Sequence, residues 1–497
     1  MKIINSQVLK SHGNIEGRSH ILDMLDSGLK AADPYFNTKK LMRVENDQLH
    51  IGYGSFIPTG APQKKSVKYD LGRDLDRIFV FGAGKGIQRV AKAIEEILGE
   101  HLTGGLIILK HGDDADILER IEVACGGHPI PDIHCVEACN KLVDSIKVAR
   151  LTDRDLVFTI FGNGASSLLT LPADGLSLDE IKKVTQILQI EKGLPTIKIN
   201  YVRTQLDQLK GGRVTRMLTP AKMVHIVPID LNEPNSFGVP GYEGCTNANI
   251  WIHSLPDMGS IEKAIEVLKE NDTWELVPVA VREFFLHSNP QNDVLTLEEF
   301  ERMNCMIFGI MPTEMSFIPA TMQKAEELGY TPHFLMRRTL VEARSAGVLV
   351  SQIARNVEDT NKPFPAPCAL VLTGELVVAV ENEDGIGGRN QEFALSAASI
   401  INGSQRIVVG AVDTDGTDGP GGCFNKKAAE QGCDNLAGGI VDGYTFMRAR
   451  QLGIDIDGAL KTHGTSNVLW ELDSGIWATQ NISVQDLIVV LIMDHDG

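Results

Sequence analysis

The feature that most constrains this 497-residue chain is a recurring unit: a short apolar run that ends on glycine and leads into a segment with helical spacing. Residues 77–82 (RIFVFG) enter Gly82-Ala83-Gly84-Lys85-Gly86 and then IQRVAKAIEEIL, and residues 155–162 (DLVFTIFG) enter Asn163-Gly164-Ala165-Ser166-Ser167 in the same way. GLIILK (105–110) and AKMVHIVPID (221–230) are further runs of this kind. Strands apolar on both faces need helices on both faces, and strands alternating with helices predict a largely parallel sheet. The pattern resumes after an irregular stretch rich in Asn, Pro and Gly (231–257). FIPATMQKAEELG and EARSAGVLVSQIARNV read as helices, and HFLMRR, CALVLTG, ELVVAVE, RIVVGAV and the closing NISVQDLIVVLIM as strands. Residues 18–32 read as a helix that stops at Asp33-Pro34. A boundary near 300–310 predicts two domains, 1–300 and 301–497.

The net charge of −18 argues against a general nucleic-acid or anionic-membrane binder, which needs a broad basic surface. A few cations in a cleft still suit an anionic small molecule. The N-terminal MKIINSQVLK is not read as a secretory signal, no run is long and apolar enough to span a bilayer, and the eight cysteines lack metal-ligand spacing. Reduced thiols and a cytoplasmic location are therefore expected.

Six places could carry chemistry. Gly82–Gly86 lies between strand and helix, where backbone N–H groups and Lys85 could meet an anion, or where a tight turn holds a solvated lysine. A dinucleotide fingerprint would need a third glycine where Ile87 stands, and an acid where the second strand ends at Lys110. A nicotinamide-dependent hydroxypyruvate reductase is thus the weaker alternative, and a catalytically inactive anion-binding homologue another. Phe161–Ser167 is a second strand-end cradle. Asn200-Tyr201-Val202-Arg203 with Lys210-Gly211-Gly212-Arg213 suits a carboxylate, although from spacing alone a basic solvated helix end is the better explanation. Gly385–Glu392 delivers Arg389, Asn390 and Gln391 together. Asp413–Pro420 resembles a calcium loop but has Asp418 at position six and Phe424 at position twelve, leaving a carboxylate-rich turn that suits Mg²⁺ or solvent. His128-Pro129-Ile130-Pro131-Asp132 is a rigid turn with one candidate base.

In order along the chain, Gly82–Lys85, His128–Asp132, Asn200/Arg203 with Lys210–Arg213, Glu342-Ala343-Arg344 with Ala346-Gly347, Gly387–Glu392, Thr414–Pro420 and Asn481 with Asp486-Leu487 resemble the glycerate 2-kinase family. Its members carry a C-terminal MOFRL domain and were often named hydroxypyruvate reductases. The resemblance implies an α/β protein of two different domains, a Rossmann-like parallel sheet and a smaller mixed-sheet MOFRL domain, with the active site in the cleft between them. It implies a kinase using ATP and Mg²⁺ on D-glycerate or a related sugar acid. Lys85 and Arg389 match the family's basic cleft residues. The roles assigned alongside them are Asp230 as base (Glu375 being the other candidate), Asn163, Ser166, Arg203, Lys210 and Glu375 on the substrate, Gly82, Gly84, Gly86, Gly387, Gly388 and Asn390 on the nucleotide, and Asp415 and Asp418 on the metal. The expected partner is a small hydroxy acid, with no nucleic acid and no membrane; a homodimer is compatible with the reading. The loops at Phe161–Ser166, Ile229–Pro234 and Leu372–Glu375 depart from the family pattern, which points to an acceptor longer than glycerate, such as a tetronate.

Overall fold

A computed structural model describes residues 2–63, 65–113, 118–287, 293–339, 341–379, 385–480 and 485–494. Asn481, quoted above in a family motif, lies outside them. Contacts divide the chain into two compact units, Pro34–Pro312 and a second made of Met1–Asp33 with Thr313–Gly497. The expected division at 1–300 and 301–497 is displaced: the chain changes unit at 312/313, and the first 33 residues belong with the C-terminal half.

The reason lies in helix α1 (Ile15–Ala31), started by Asn14, whose side chain accepts from the Gly17 N–H. Ile21, Leu22, Leu25 and Leu29 recur on one face and are buried among Val408, Val412, Leu487, Val489 and Leu491 of the C-terminal sheet. Arg18 is wholly buried there. Its Nε donates to Asp442, and its other nitrogens donate to the Leu9 carbonyl and the hydroxyls of Thr445 and Ser474. A guanidinium out of water needs such a carboxylate, and Asp442 lies in the C-terminal half.

The Pro34–Pro312 unit is built on six strands, β1 (Arg77–Ala83), β2 (Gly104–Lys110), β3 (Ile121–Gly126), β4 (Asp155–Phe161), β5 (Lys222–Val227) and β6 (Cys305–Gly309). They lie in the order β3-β2-β1-β4-β5-β6, every pair parallel. This is the doubly wound arrangement, whose order reverses between β1 and β4. Helices α2 (Gln88–Leu98) and α3 (Ile133–Ala149) follow β1 and β3, and α4 (Thr196–Gln205) lies between β4 and β5. A small antiparallel sheet of Met42–Glu45, Gln48–Ile51 and Val67–Asp70 was not legible, since its strands are four residues each and barely alternate.

The other unit has helices α5 (Phe317–Glu327), α6 (Ala343–Thr360) and α7 (Arg389–Ile400). Its strands are β7 (Thr331–Thr339), β8 (Cys368–Gly374), β9 (Ile407–Asp413), β10 (Gly438–Asp442), β11 (Gly475–Ile476) and β12 (Asp486–Ile492). The order is β7-β8-β12-β9-β10-β11; β7 and β8 run parallel and the remaining pairs antiparallel, so the sheet is mixed. The strand expected over ELVVAVE does not form in its described part, where Val377 makes only an isolated bridge to Glu342. All eight cysteines are free thiols, and no helix among the described residues is long and apolar enough to cross a membrane.

Candidate active site

In the parallel-sheet unit the two glycine loops that carry Lys85, Asn163 and Ser166 meet at the carboxyl ends of β1 and β4, where the strand order reverses. β1 ends at Ala83 and β4 at Phe161, so their exits, Gly84–Gly86 and Gly162–Gly164, lie side by side, and the Lys85 N–H donates to the Asn163 carbonyl at 2.7 Å. The approach demands glycine. At Gly84 (φ +153°) a Cβ would sit 3.0–3.1 Å from Gly162 backbone atoms, and at Gly164 (φ +83°) 3.0 Å from Lys85 Cγ and 3.2 Å from His128 Cδ2. Gly82 differs from its expected role: it is inside β1, where a Cβ would strike the Ile160 carbonyl, so it serves strand packing.

His128 thus packs beside Lys85 and Gly164. Burial, helped by the charges of Lys85, Lys110 and Arg203, lowers its pKa to about 4, so the imidazole is neutral at pH 7. On the other side, Ser166 Oγ and His253 Nε2 are 2.8 Å apart. His253 is fully buried, and burial together with Lys210, Arg203 and Arg213 holds its pKa well below the usual value. Two neutral imidazoles thus stand among five cations, Lys85, Lys110, Arg203, Lys210 and Arg213, against the carboxylates of Asp113 and Asp207, a surplus of positive charge that suits an anion.

Arg203, on α4, is buried; its Nη2 donates to Asn200 Oδ1 at 2.9 Å, while its Nε and the Asn200 Nδ2 find no partner among the described residues. Burial lowers the Arg203 pKa to about 10 without discharging it. Buried donors of this kind are rare unless a ligand or water completes them.

Lys210, expected on the substrate, is placed otherwise. Its Nζ is wholly buried and donates to Asp207 Oδ2 at 2.5 Å and to Thr170 Oγ1 at 3.1 Å, because an ammonium removed from water is held by a carboxylate. Asp230 is half-buried in the turn after β5, where its Oδ1 accepts from the Asn232 N–H at 2.9 Å.

In the mixed-sheet unit the string Arg389–Glu392 opens α7, and each of its side chains is engaged within the unit. Arg389 Nε donates to both oxygens of Asp486 (2.8 and 3.0 Å) and Nη2 to Asp413 Oδ2 (2.7 Å). Asn390 Nδ2 donates to Asp486 at 2.7 Å, and Gln391 Nε2 to the Asp418 carbonyl at 3.0 Å. Glu392 accepts from Arg344 Nε at 2.8 Å and lies 2.6 Å from His463 Nδ1. Asn390 is therefore enclosed between carboxylates where a nucleotide contact was expected. Gly387 and Gly388 are likewise packing positions, since a Cβ on either would fall 2.3 Å from Thr465 Oγ1 or Asp418 Cγ.

The two expected metal ligands separate. Asp418 is fully buried, and its oxygens accept from the N–H groups of Asn390 (3.2 Å) and Gln391 (2.9 Å), where it closes the first turn of α7. That leaves little of it for an ion. Asp415 is half-buried; its Oδ1 accepts from Thr417 N–H and Oγ1 (2.8 and 2.9 Å), and its own N–H donates to Asp413. Burial and the charge of Asp415 push the Asp413 pKa well above the usual range. Glu375 is exposed, next to Leu376, whose N–H donates to Asp486. Sequence reasoning assigned no role to His253, Asp207, Asp413 or Asp486. Asp413 and Asp486 stood in strings already singled out, but nothing in the irregular stretch marked His253.

Two family models match the chain, a domain of unknown function (DUF4147) over residues 20–234 and the MOFRL family over residues 368–482. The chain is 31% identical to a D-glycerate 2-kinase of Thermotoga maritima, over 86% of this chain and 94% of that one. It is 29% identical to a glycerate 2-kinase of Pyrococcus horikoshii, over 96% and 97%. The crystal structure of a glycerate kinase from Thermotoga maritima superposes with a TM-score of 0.72 at 27% identity, covering 95% of this chain and 99% of that chain.

Proposed function

This chain belongs to the glycerate 2-kinase family, and from that premise we propose that it transfers the terminal phosphoryl group of ATP to a hydroxyl of a small hydroxy acid, D-glycerate or a near relative. The observation that carries the reading is the convergence of Lys85, His128, Ser166–His253 and Arg203 at the reversal of a parallel sheet, where open α/β folds bind ligands. Phosphoryl transfer asks mainly for positioning and charge neutralisation. In this reading Lys85 receives phosphate oxygens; the Gly84 N–H already donates to the Ile108 carbonyl at 3.0 Å, and the Gly86 N–H is directed to the Asp113 carboxylate, so the two glycines shape the turn rather than offer donors. Arg203 supplies the charge that holds the acceptor carboxylate, and Asn163 and Ser166 select among its hydroxyls. With its pKa at about 4, His128 hydrogen-bonds as a neutral ring and is a weak base at pH 7.

For Mg²⁺, half-buried Asp415 is the better placed of the two expected ligands: Asp418 is occupied by the start of α7, and the neighbouring Asp413 by Arg389 and the Asp415 N–H. When bound, the ion would neutralise phosphate charge.

The test is a coupled ADP assay on the full chain with Mg²⁺, across D-glycerate, tetronates and pentonates. ADP formation that needs both metal and acid supports the reading; none with any acid defeats it. A preference for D-glycerate would overturn the longer acceptor suggested by the altered loops. Oxidation of NADPH by hydroxypyruvate in a parallel cuvette would favour the reductase instead.

A further inference from the structure

Apart from the residues assigned to phosphoryl transfer, the parallel-sheet unit gathers two imidazoles and a carboxylate. His111 is the first residue after β2, and Asp132 and His134 flank the first residue of α3. One ligand atom from each lies within 4.8 Å of the others, the one such group of three among the described residues. His111 Nε2 is 2.7 Å from Asp132 Oδ2, and His134 Nδ1 is 3.3 Å from that same oxygen.

The carboxylate is set in place by the fold. Asp132 Oδ1 accepts from the N–H groups of Gly127 (3.0 Å) and Cys135 (3.1 Å), which fixes the side chain as the cap of α3 and turns Oδ2 toward the two rings. His111 is held by the end of a strand in the middle of a sheet, its own N–H donating to the Gly126 carbonyl at 3.0 Å. The three donors therefore stand on rigid elements rather than on free side chains. Around a tetrahedral ion with bonds of about 2.0–2.1 Å, neighbouring ligand atoms are separated by about 3.4 Å. Small side-chain rotations take the present spacing to that value.

We propose that His111, Asp132 and His134 form a binding site for a borderline divalent transition metal of the Zn²⁺ or Co²⁺ class. Two imidazole nitrogens with one carboxylate suit these ions, whereas Mg²⁺ and Ca²⁺ prefer oxygen throughout. Three protein ligands leave a fourth position for water. Side-chain exposures of 46%, 30% and 57% give an ion access, and removing either histidine opens no core. Bound metal would tie the end of β2 to the start of α3. It would thereby close the turn Gly127–Asp132, which carries His128 to Lys85, so occupancy would stiffen one wall of the anion pocket.

The experiment uses the full chain, stripped with chelator and free of nucleotide and acid, so its outcome is separate from that of the kinase assay. Zn²⁺ is titrated calorimetrically, Co²⁺ by its visible absorption, and melting is followed with and without Zn²⁺. One saturable equivalent per chain is expected, with a rise in Tm. His134→Ala and His111→Ala should each weaken binding at least tenfold and abolish the rise while leaving the metal-free Tm unchanged. Absence of saturable binding, binding unaltered in both variants, or displacement of Zn²⁺ by equimolar Mg²⁺ would each overturn the assignment.

Discussion

Replacing Arg389 by lysine separates two uses of one side chain. The guanidinium fork makes three hydrogen bonds of 2.7–3.0 Å to Asp486 and Asp413, both buried. Lysine keeps the charge, but its single ammonium cannot lie in the fork's plane and serve both carboxylates. A hydrogen bond to a charged group contributes about 1.5–3 kcal/mol, and a buried carboxylate left short of its partner adds to the loss, so destabilisation of about 2–4 kcal/mol is expected. The loss should depend on pH. Burial raises the pKa values of Asp413 and Asp486 and takes that of Asp418 to about 7. A carboxyl raised in the folded state contributes stability that is complete below its unfolded value near 4 and is lost as pH climbs through the folded one. Weakening the arginine raises these values further, so the deficit should grow between pH 5 and pH 8, by up to about 1.4 kcal/mol per pH unit for each carboxyl affected. Urea denaturation of wild type and variant at pH 5, 6, 7 and 8 reads this directly. A deficit under about 0.5 kcal/mol, or one independent of pH, would refute the neutralising role. If turnover nevertheless collapsed, the arginine would be acting on substrate.

Other expectations follow from the same contacts. Lys85→Met should lower kcat/KM by about 10²–10³-fold, the scale of losing one preorganised charge-stabilising donor, with Tm nearly unchanged because the side chain is only half-buried; near-normal steady-state kinetics would remove Lys85 from the site. Asp415→Asn should raise the Mg²⁺ needed for half-maximal rate, whereas Asp418→Asn should leave that figure alone and lower stability by about 1–2 kcal/mol by weakening the start of α7. A Mg²⁺ titration and a melt of each variant check the pair, and the reverse pattern would restore Asp418 to the metal. Arg18→Ala should cost about 3–5 kcal/mol, since it leaves Asp442 buried and unpaired; a loss below about 1 kcal/mol in denaturant would show that the N-terminal helix is held by its apolar face alone.

By itself the sequence determined most of the elements and where their glycine-closed ends fall. Strands apolar on both faces and the glycines that close them are local signals, so RIFVFG and DLVFTIFG with their exits at Lys85 and Asn163 were readable, as was the alternation that makes the sheet parallel. The helix over residues 18–32 was equally plain, but its allegiance was not: an amphipathic helix records that one face is buried, not against which sheet. That was settled by Asp442, more than 400 residues on, receiving Arg18. The same distinction divides the site. A string such as GGRNQE reports that arginine, amides and acid arrive together, but not whether they meet a ligand or one another. The fold turned Arg389 onto Asp413 and Asp486, Asn390 onto Asp418 and Asp486, and Lys210 onto Asp207. Burial decided each case, because a charge or amide removed from water takes whichever partner the packing brings within about 3 Å. His253 reached Ser166 by the same route, from a stretch without periodicity. Asp207 stands only three residues before Lys210, but the other partners are chosen in three dimensions, where residues 24 to more than 400 positions apart become neighbours.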